Sequence, residues 1–259
     1  MRVFSKLTMV CVCSLTLATV EVHAGLDVGA GSTIDFGDAV IDMGCSDLIV
    51  DGTTNTSASQ VTGLDNVTID ASGTLNAGGA QITLAGNFSN SGTLSAGSGT
   101  VAIVDGCSRT QSSISGDSTF HDLSITSTTG KQVVFESGKT TTVAGTLTLQ
   151  GAAGNLLKVR SSTPGSPAML SATPQQVIQF VDVADNRAVG SVIAPGSPSK
   201  YESKASGNLF RWFFYDVNGL LPFQPIPSLS AWSLFAVSAL LSLLGIRGYR
   251  RARARVGRY

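Results

Sequence analysis

Residues 72–104 read SGTLNAGGAQITLAGNFSNSGTLSAGSGTVAIV. Gly-Thr-Leu occurs there at Gly73-Thr74-Leu75 and again at Gly92-Thr93-Leu94, nineteen residues on, with Gly99-Thr100-Val101 as a variant and a further copy at Gly145-Thr146-Leu147. Between the copies run short segments in which aliphatic residues alternate with Thr, Ser and Gln, bounded by Gly, Asn and Ser. Alternation over four to six residues is the signature of a half-buried strand, and the small polar residues mark the turns. A repeat of about twenty residues whose strands cannot bury their apolar face alone is the pattern of a solenoid, in which each coil stacks on the one before.

The same pattern extends outward on both sides. Val67–Asp70, Gln81–Leu84, Thr100–Val104, Leu123–Thr126, Gln132–Phe135 and Thr146–Leu149 all read as strands rich in Thr and branched aliphatics. No window between Gly25 and Pro225 has a helical period. The expected fold is therefore all-β, a right-handed parallel β-helix over residues 25–216. A β-sandwich is the alternative, disfavoured because its strands carry more aromatic and less Gly, Ser and Thr. Further on, Phe120–Ile125, Gly145–Gly151, Leu157–Ser162, Gln179–Asn186 and Gly207–Trp212 read as successive coils, with Phe210, Trp212 and Phe214 alternating as an end cap. In composition this region resembles the β-helical regions of secreted adhesin-like proteins.

Two segments flank the solenoid. At the N-terminus, Arg2 and Lys6 precede an apolar run from Leu7 to Val20, and Val22-His23-Ala24 places small residues where a signal peptidase cuts, so residues 1–24 read as a signal peptide removed before Gly25. Cys11 and Cys13 fall inside it. At the other end, residues 217–225 read as an extended linker containing Pro222 and Pro225. Leu229 to Ile246 is then an uncharged stretch that would span roughly 27 Å as a helix, enough for a thin bilayer core. Trp232 suits the headgroup region, and Arg247, Arg250, Arg251, Arg253, Arg255 and Arg258 follow with no acid among them. Arginines beyond an apolar span stay cytoplasmic and stop transfer, which leaves everything before the span outside.

The residues Ile226-Pro227-Ser228-Leu229-Ser230-Ala231-Trp232, with the span and basic tail behind them, resemble the IPTL-CTERM sorting signal, typified by I-P-T-L-S-E-W-G. Ile226, Pro227, Leu229, Ser230 and Trp232 match the pattern and Ser228 stands for Thr; Ala231 and Ser233 depart from Glu and Gly. The resemblance implies a bacterial protein delivered to the inner membrane and handled by an exosortase-type transpeptidase, the partner in sorting. Proline supports that reading physically. It has no N–H for a helix ladder and biases Ile226 to an extended conformation, so a helix begins below it and a bindable peptide lies above.

Once the signal and the tail are set aside, nine basic and sixteen acidic residues remain, a net charge of −7. That balance argues against nucleic acid or anionic lipid as a partner, since either requires a basic patch. Cys45 and Cys107 are the only cysteines left after export. In an oxidising compartment they can pair or remain two separately buried thiols.

No catalytic set emerges, and no cofactor is expected. His121 is the only histidine after export and lacks a G-x-S-x-G partner, so it reads as a packing or surface residue. Asp182 and Asp185 are the nearest candidates for the paired carboxylates of a polysaccharide-cleaving enzyme. Their odd separation on a strand points them to opposite faces unless the chain turns at Ala184. Calcium at Asp182, Asp185 and Asn186 is the only metal candidate, set against solvated turn residues. Asn55, Asn66 and Asn87 begin N-x-Ser/Thr sequons, read here as incidental. The expectation is a non-enzymatic surface or extracellular-matrix protein, structural or adhesive. The alternatives are a secreted β-helical protein that binds or cleaves an extracellular polysaccharide, and a protein permanently anchored by an uncut tail.

Overall fold

The computed structural model describes residues 25–213. These form a β-solenoid of three parallel sheets. All twenty pairings between its named strands are parallel, which rules out the antiparallel sandwich. Among the described residues there is no α-helix, only one short 3₁₀ turn at Pro198–Tyr201, and no helix long and apolar enough to cross a membrane. The segment 229–246 and the signal peptide lie outside the described residues, as does linker 217–225.

Each coil up to Gln176–Gln179 contributes one strand to each sheet, and the last two coils, from Val181 on, contribute strands to the first two sheets only. In the first coil these are β1 (Leu26–Val28), β2 (Thr33–Asp35) and the start of β3 (Val40–Val50), and the second half of β3 turns the corner to begin the next coil. After β4 (Thr53–Asn55), β5 (Gln60–Ile69) turns that corner again. Its first half pairs with Gln81–Leu84 and its second with Phe88–Asn90, so two sheets merge at this corner. The register gives the coil length directly. Thr74 pairs with Thr93 and Leu75 with Leu94, nineteen residues apart, and Val67 pairs with Phe88, twenty-one apart. The first two Gly-Thr-Leu copies therefore stack one on the other. The third does not: Leu147 pairs with Leu123, which pairs with Val101, so Gly145-Thr146-Leu147 is in phase with the variant Gly99-Thr100-Val101 on another sheet. Both sheets are entered through a Gly-Thr step, which is why sequence alone merges two phases into one repeat.

Alternation sets the core. Leu64, Leu84, Ile103, Ile125, Leu149 and Ile178 pair in sequence across six coils, all buried, while the adjacent Val177 faces solvent. Each such side chain contributes about 1.5–3 kcal/mol of transfer free energy, so the stack holds together only as neighbours accumulate. The parallel row on that sheet runs Val61, Ile82, Val101, Leu123, Leu147 and ends at Gln176. There the polar side chain donates to Val192 O and accepts from Ala194 N–H, closing the loop that follows over the sheet.

Polar ladders hold the corners. Asn66 Nδ2 donates to Asp47 Oδ1 at 2.8 Å, Asn87 N–H to Asn66 Oδ1 at 2.8 Å, and both the amide and hydroxyl of Ser113 to Asn87 Oδ1 at 2.9 Å. On the second sheet, Asn76 Nδ2 donates to Asn55 Oδ1 at 2.8 Å. All three sequon asparagines are ladder residues, which gives them a structural role of their own.

The end of the described chain departs from simple alternation. Leu209, Trp212 and Phe213 are buried, whereas Phe210 lies outward under Arg187, whose guanidinium sits 4.3 Å from its ring centre. Arg211 and Phe213 both take left-handed backbone, with φ of 58° and 54°, and the in–out sense reverses across Arg211, from the outward Phe210 to the buried Trp212. The expected trio of Phe210, Trp212 and Phe214 is thus replaced by Leu209, Trp212 and Phe213, with Phe214 outside the described residues.

Candidate functional site

Three polar constellations stand out on the solenoid. The first is a strap across the corner that leads from the third sheet back to the first. The segment after strand Thr100–Ile103 is longer than its counterparts in the coils on either side, so that Phe88 pairs with Ile114, twenty-six residues on. The extra residues run back along the stack. Cys107 forms a disulfide with Cys45, with Cα atoms 5.5 Å apart, although the corners that carry them are three coils apart, about 14 Å at ordinary strand spacing. Arg109 forms a two-pronged ion pair with Asp65, Nε to Oδ1 at 2.8 Å and Nη2 to Oδ2 at 2.5 Å.

Beneath the strap lies Lys131, fully buried, whose ammonium donates to Ala85 O and, at 2.7 Å, to Val104 O. Burial pushes its pKa down, partly offset by Asp105 and Asp65, and Arg109 adds to the depression. Asp105 closes the same corner, accepting from the amides and hydroxyls of Thr128 and Thr129. Burial acts to raise its pKa, but these hydrogen bonds together with that of Ser127 outweigh it and hold the carboxyl below its ordinary value.

The second constellation is a polar groove at the corner between the first and second sheets. It is about 420 Å3 in volume and is lined by Ser89–Gly92, Ser115–Asp117, Glu136 and Lys139 from three successive coils. Ser115 Oγ donates to Ser89 Oγ at 3.1 Å. Glu136 Oε2 accepts from Gly116 N–H at 2.8 Å, which leaves its second oxygen for a ligand. Asp117 accepts from Thr140 N–H at 2.8 Å and pairs with Lys139 at 3.2 Å, and these two contacts hold its carboxyl below its ordinary value. Hydroxyls, an amide and carboxylates at a shallow site suit hydroxyl-rich ligands.

The third holds the carboxylates singled out in the sequence. Asp182 is engaged by Arg160 Nη2 at 2.8 Å and by the Ser206 hydroxyl. The chain does turn after Ala184: Asp185 has φ 51° and accepts from Asn208 Nδ2 at 2.6 Å. Asn186 points into the core, fully buried, and neither of its amide atoms has a hydrogen-bond partner. Asp182, Asp185 and Asn186 are therefore not gathered around one point, and among the described residues no group of three His, Cys, Asp or Glu side chains could hold a metal. His121 Nδ1 lies 3.3 Å from Asp122 Oδ2, but Asp122 is committed through Oδ1 to Thr146 N–H.

The sequence pairs the cysteines as one of two options and identifies neither the strap nor the groove. Both are built from residues of several coils, and the strap's sequence trace is the long interval between Ile103 and Gln111.

The sorting residues Ile226, Pro227, Ser228, Leu229, Ser230 and Trp232, and the arginines from Arg247 to Arg255, lie outside the described residues. Comparison with known proteins bears on them directly. No curated protein and no solved structure matches the chain. Residues 224–253 match the IPTL-CTERM motif, so the chain is a β-solenoid that carries an IPTL-CTERM sorting signal, which implies an exported, cell-surface protein.

Proposed function

We propose that this protein is a non-enzymatic structural or adhesive component of the bacterial surface or extracellular matrix. The solenoid is its working region, and an exosortase-type enzyme cuts its tail after delivery to the membrane. The observation that carries the reading is the IPTL-CTERM match at residues 224–253, directly behind a parallel β-solenoid. A stack of strands tied by polar ladders and a disulfide is a rigid spacer, and rigidity suits a surface component.

The test is the intact mass of the protein recovered from its native host, with and without Pro227→Ala. The expected mature chain ends between Ile226 and Ser230, and the substitution abolishes that end. A mature chain that retains Tyr259 overturns the sorting step and leaves an ordinary anchor.

One observation favours a second reading, that of a polysaccharide-binding surface. The groove at Ser89–Gly92, Ser115–Asp117, Glu136 and Lys139 offers hydroxyl and carboxylate partners in one concavity. Retention on a panel of immobilised bacterial polysaccharides, lost on Glu136→Ala with folding intact, supports it. Absence of retention across the panel removes it.

A further inference from the structure

The two ends of the solenoid differ in charge and in finish. Between Gly25 and Ser108 there are nine aspartates and neither Lys nor Arg, while from Arg109 to Phe213 nine basic residues face six acidic ones. The segment that builds the first four coils therefore carries only negative charge of its own, with Arg109 folded back onto Asp65, and the remainder is net positive.

The first coil is also unfinished. Among the described residues, Leu26–Val28, Thr33–Asp35 and Val40–Asp42 each have a strand partner on one side only. Leu26, Ile34, Phe36 and Met43 bring the end of the core to the surface, and Val40 is 76% exposed. Such edges are templates for another chain, and proteins usually blunt them with Lys or Pro. This end has neither, since the first proline after the signal peptide is Pro164. At the opposite end the third sheet is closed by the loop held on Gln176, but the first two sheets finish at Lys204–Ala205 and Leu209–Phe210, each paired on one side among the described residues. Lys204, Arg187 and Arg211 are carried on or beside these last strands.

We propose that copies of this protein associate head to tail. The acidic first coil of one copy docks on the basic last strands of the next, adding β1 and β2 to the outer edges of Lys204–Ala205 and Leu209–Phe210. Strands run parallel through every coil, so a copy displaced along the stack extends the same sheets. Such a contact is heterologous and does not close on itself, and its product is a filament. Contact between two first coils is disfavoured because Asp27, Asp35, Asp38 and Asp42 would meet their own copies. The proposal requires export and removal of residues 1–24, but neither glycan binding nor any adhesive role.

The test uses the mature protein as its host delivers it, with light scattering in low salt and in 0.5 M NaCl. Wild type is expected to show a mass at least about twofold above the monomer in low salt, falling with added salt as exposed charges are screened. Asp27→Lys with Asp35→Lys, and separately Lys204→Asp with Arg211→Asp, are each expected to give monomers. An equimolar mixture of the two charge-reversed proteins is expected to associate again, because each then offers the end that the other lacks. These exchanges lie at exposed or half-exposed positions, and thermal unfolding of each variant confirms that it folds. A monomeric wild type, variants that associate as well as wild type, or a mixture that stays monomeric overturns the proposal. Failure of the Pro227 experiment alone leaves this outcome unaffected, so the two readings fail separately.

Discussion

Cys45 and Cys107 are bonded across 62 positions of sequence and three coils of the stack. A covalent link between coils three apart resists the failure to which a solenoid is most exposed, the peeling of its end coil. Closing a loop of that length removes denatured-state entropy worth about 4 kcal/mol. Replacing both cysteines by serine should therefore lower the urea midpoint by the equivalent of roughly 3–4 kcal/mol. Arg109→Met, which breaks the half-exposed ion pair in the same strap, should cost no more than about 1 kcal/mol. Chemical denaturation of the three proteins separates the contributions, and equal losses would show that the strap depends on the ion pair.

The distribution of that stabilisation explains what could be read from sequence. The period was legible at Gly73 and Gly92 because Thr74 and Thr93 occupy equivalent positions in adjacent coils of near-minimal length. Strands Gln81–Leu84 and Gln132–Phe135 were legible because their alternation is local. The strands before Val61 were not, since Leu26–Val28 and Thr33–Asp35 are three residues each and hold their form through pairing with the coil above. Lys131 gave no signal either, because its partners Ala85 and Val104 are backbone carbonyls contributed by other coils. The groove gathers Asn90, Asp117 and Glu136 from three coils, and only the register of the stack brings them together.

Asp105 makes the fold sensitive to acid. Its folded pKa is held below the ordinary value, so the unfolded chain binds more protons in the window beneath about pH 4. The stabilisation is complete above that window and is lost as pH falls through the folded pKa. Asp105→Asn should cost about 1 kcal/mol at pH 7, with the gap to wild type closing below about pH 4. Thermal unfolding between pH 2 and 7 checks it, and a gap that stays constant with pH would assign the loss to packing.

Gly116 and Gly138 test the corners of the groove. Both take left-handed backbone, with φ of 78° and 76°. A Cβ at Gly138 meets nothing, whereas one at Gly116 runs into the carbonyl oxygen of Asn90 in the coil below. Gly138→Ala should cost only the left-handed penalty, about 1 kcal/mol. Gly116→Ala must also push neighbouring coils apart, and a loss at least about 2 kcal/mol greater is expected, within the range for forced overpacking. Equal losses in urea would mean that the coils yield at this corner without resistance.

Asn186 is the weak point of the core. It pairs in register with Ala168 and Leu209, both buried, and its backbone N–H reaches Asn208 O at 3.2 Å. Its side-chain oxygen and nitrogen are both enclosed and unpaired. An amide buried in that way forfeits its hydration with nothing in return, whereas a leucine of similar size completes the apolar row. Asn186→Leu should therefore raise stability by about 1 kcal/mol, seen as a higher urea midpoint at unchanged slope. A fall of similar size would show that the amide finds partners in solution. That outcome would make Asn186 a polar pin for the last coils, beside the Asp182 and Arg160 pair that ties the same coils from outside.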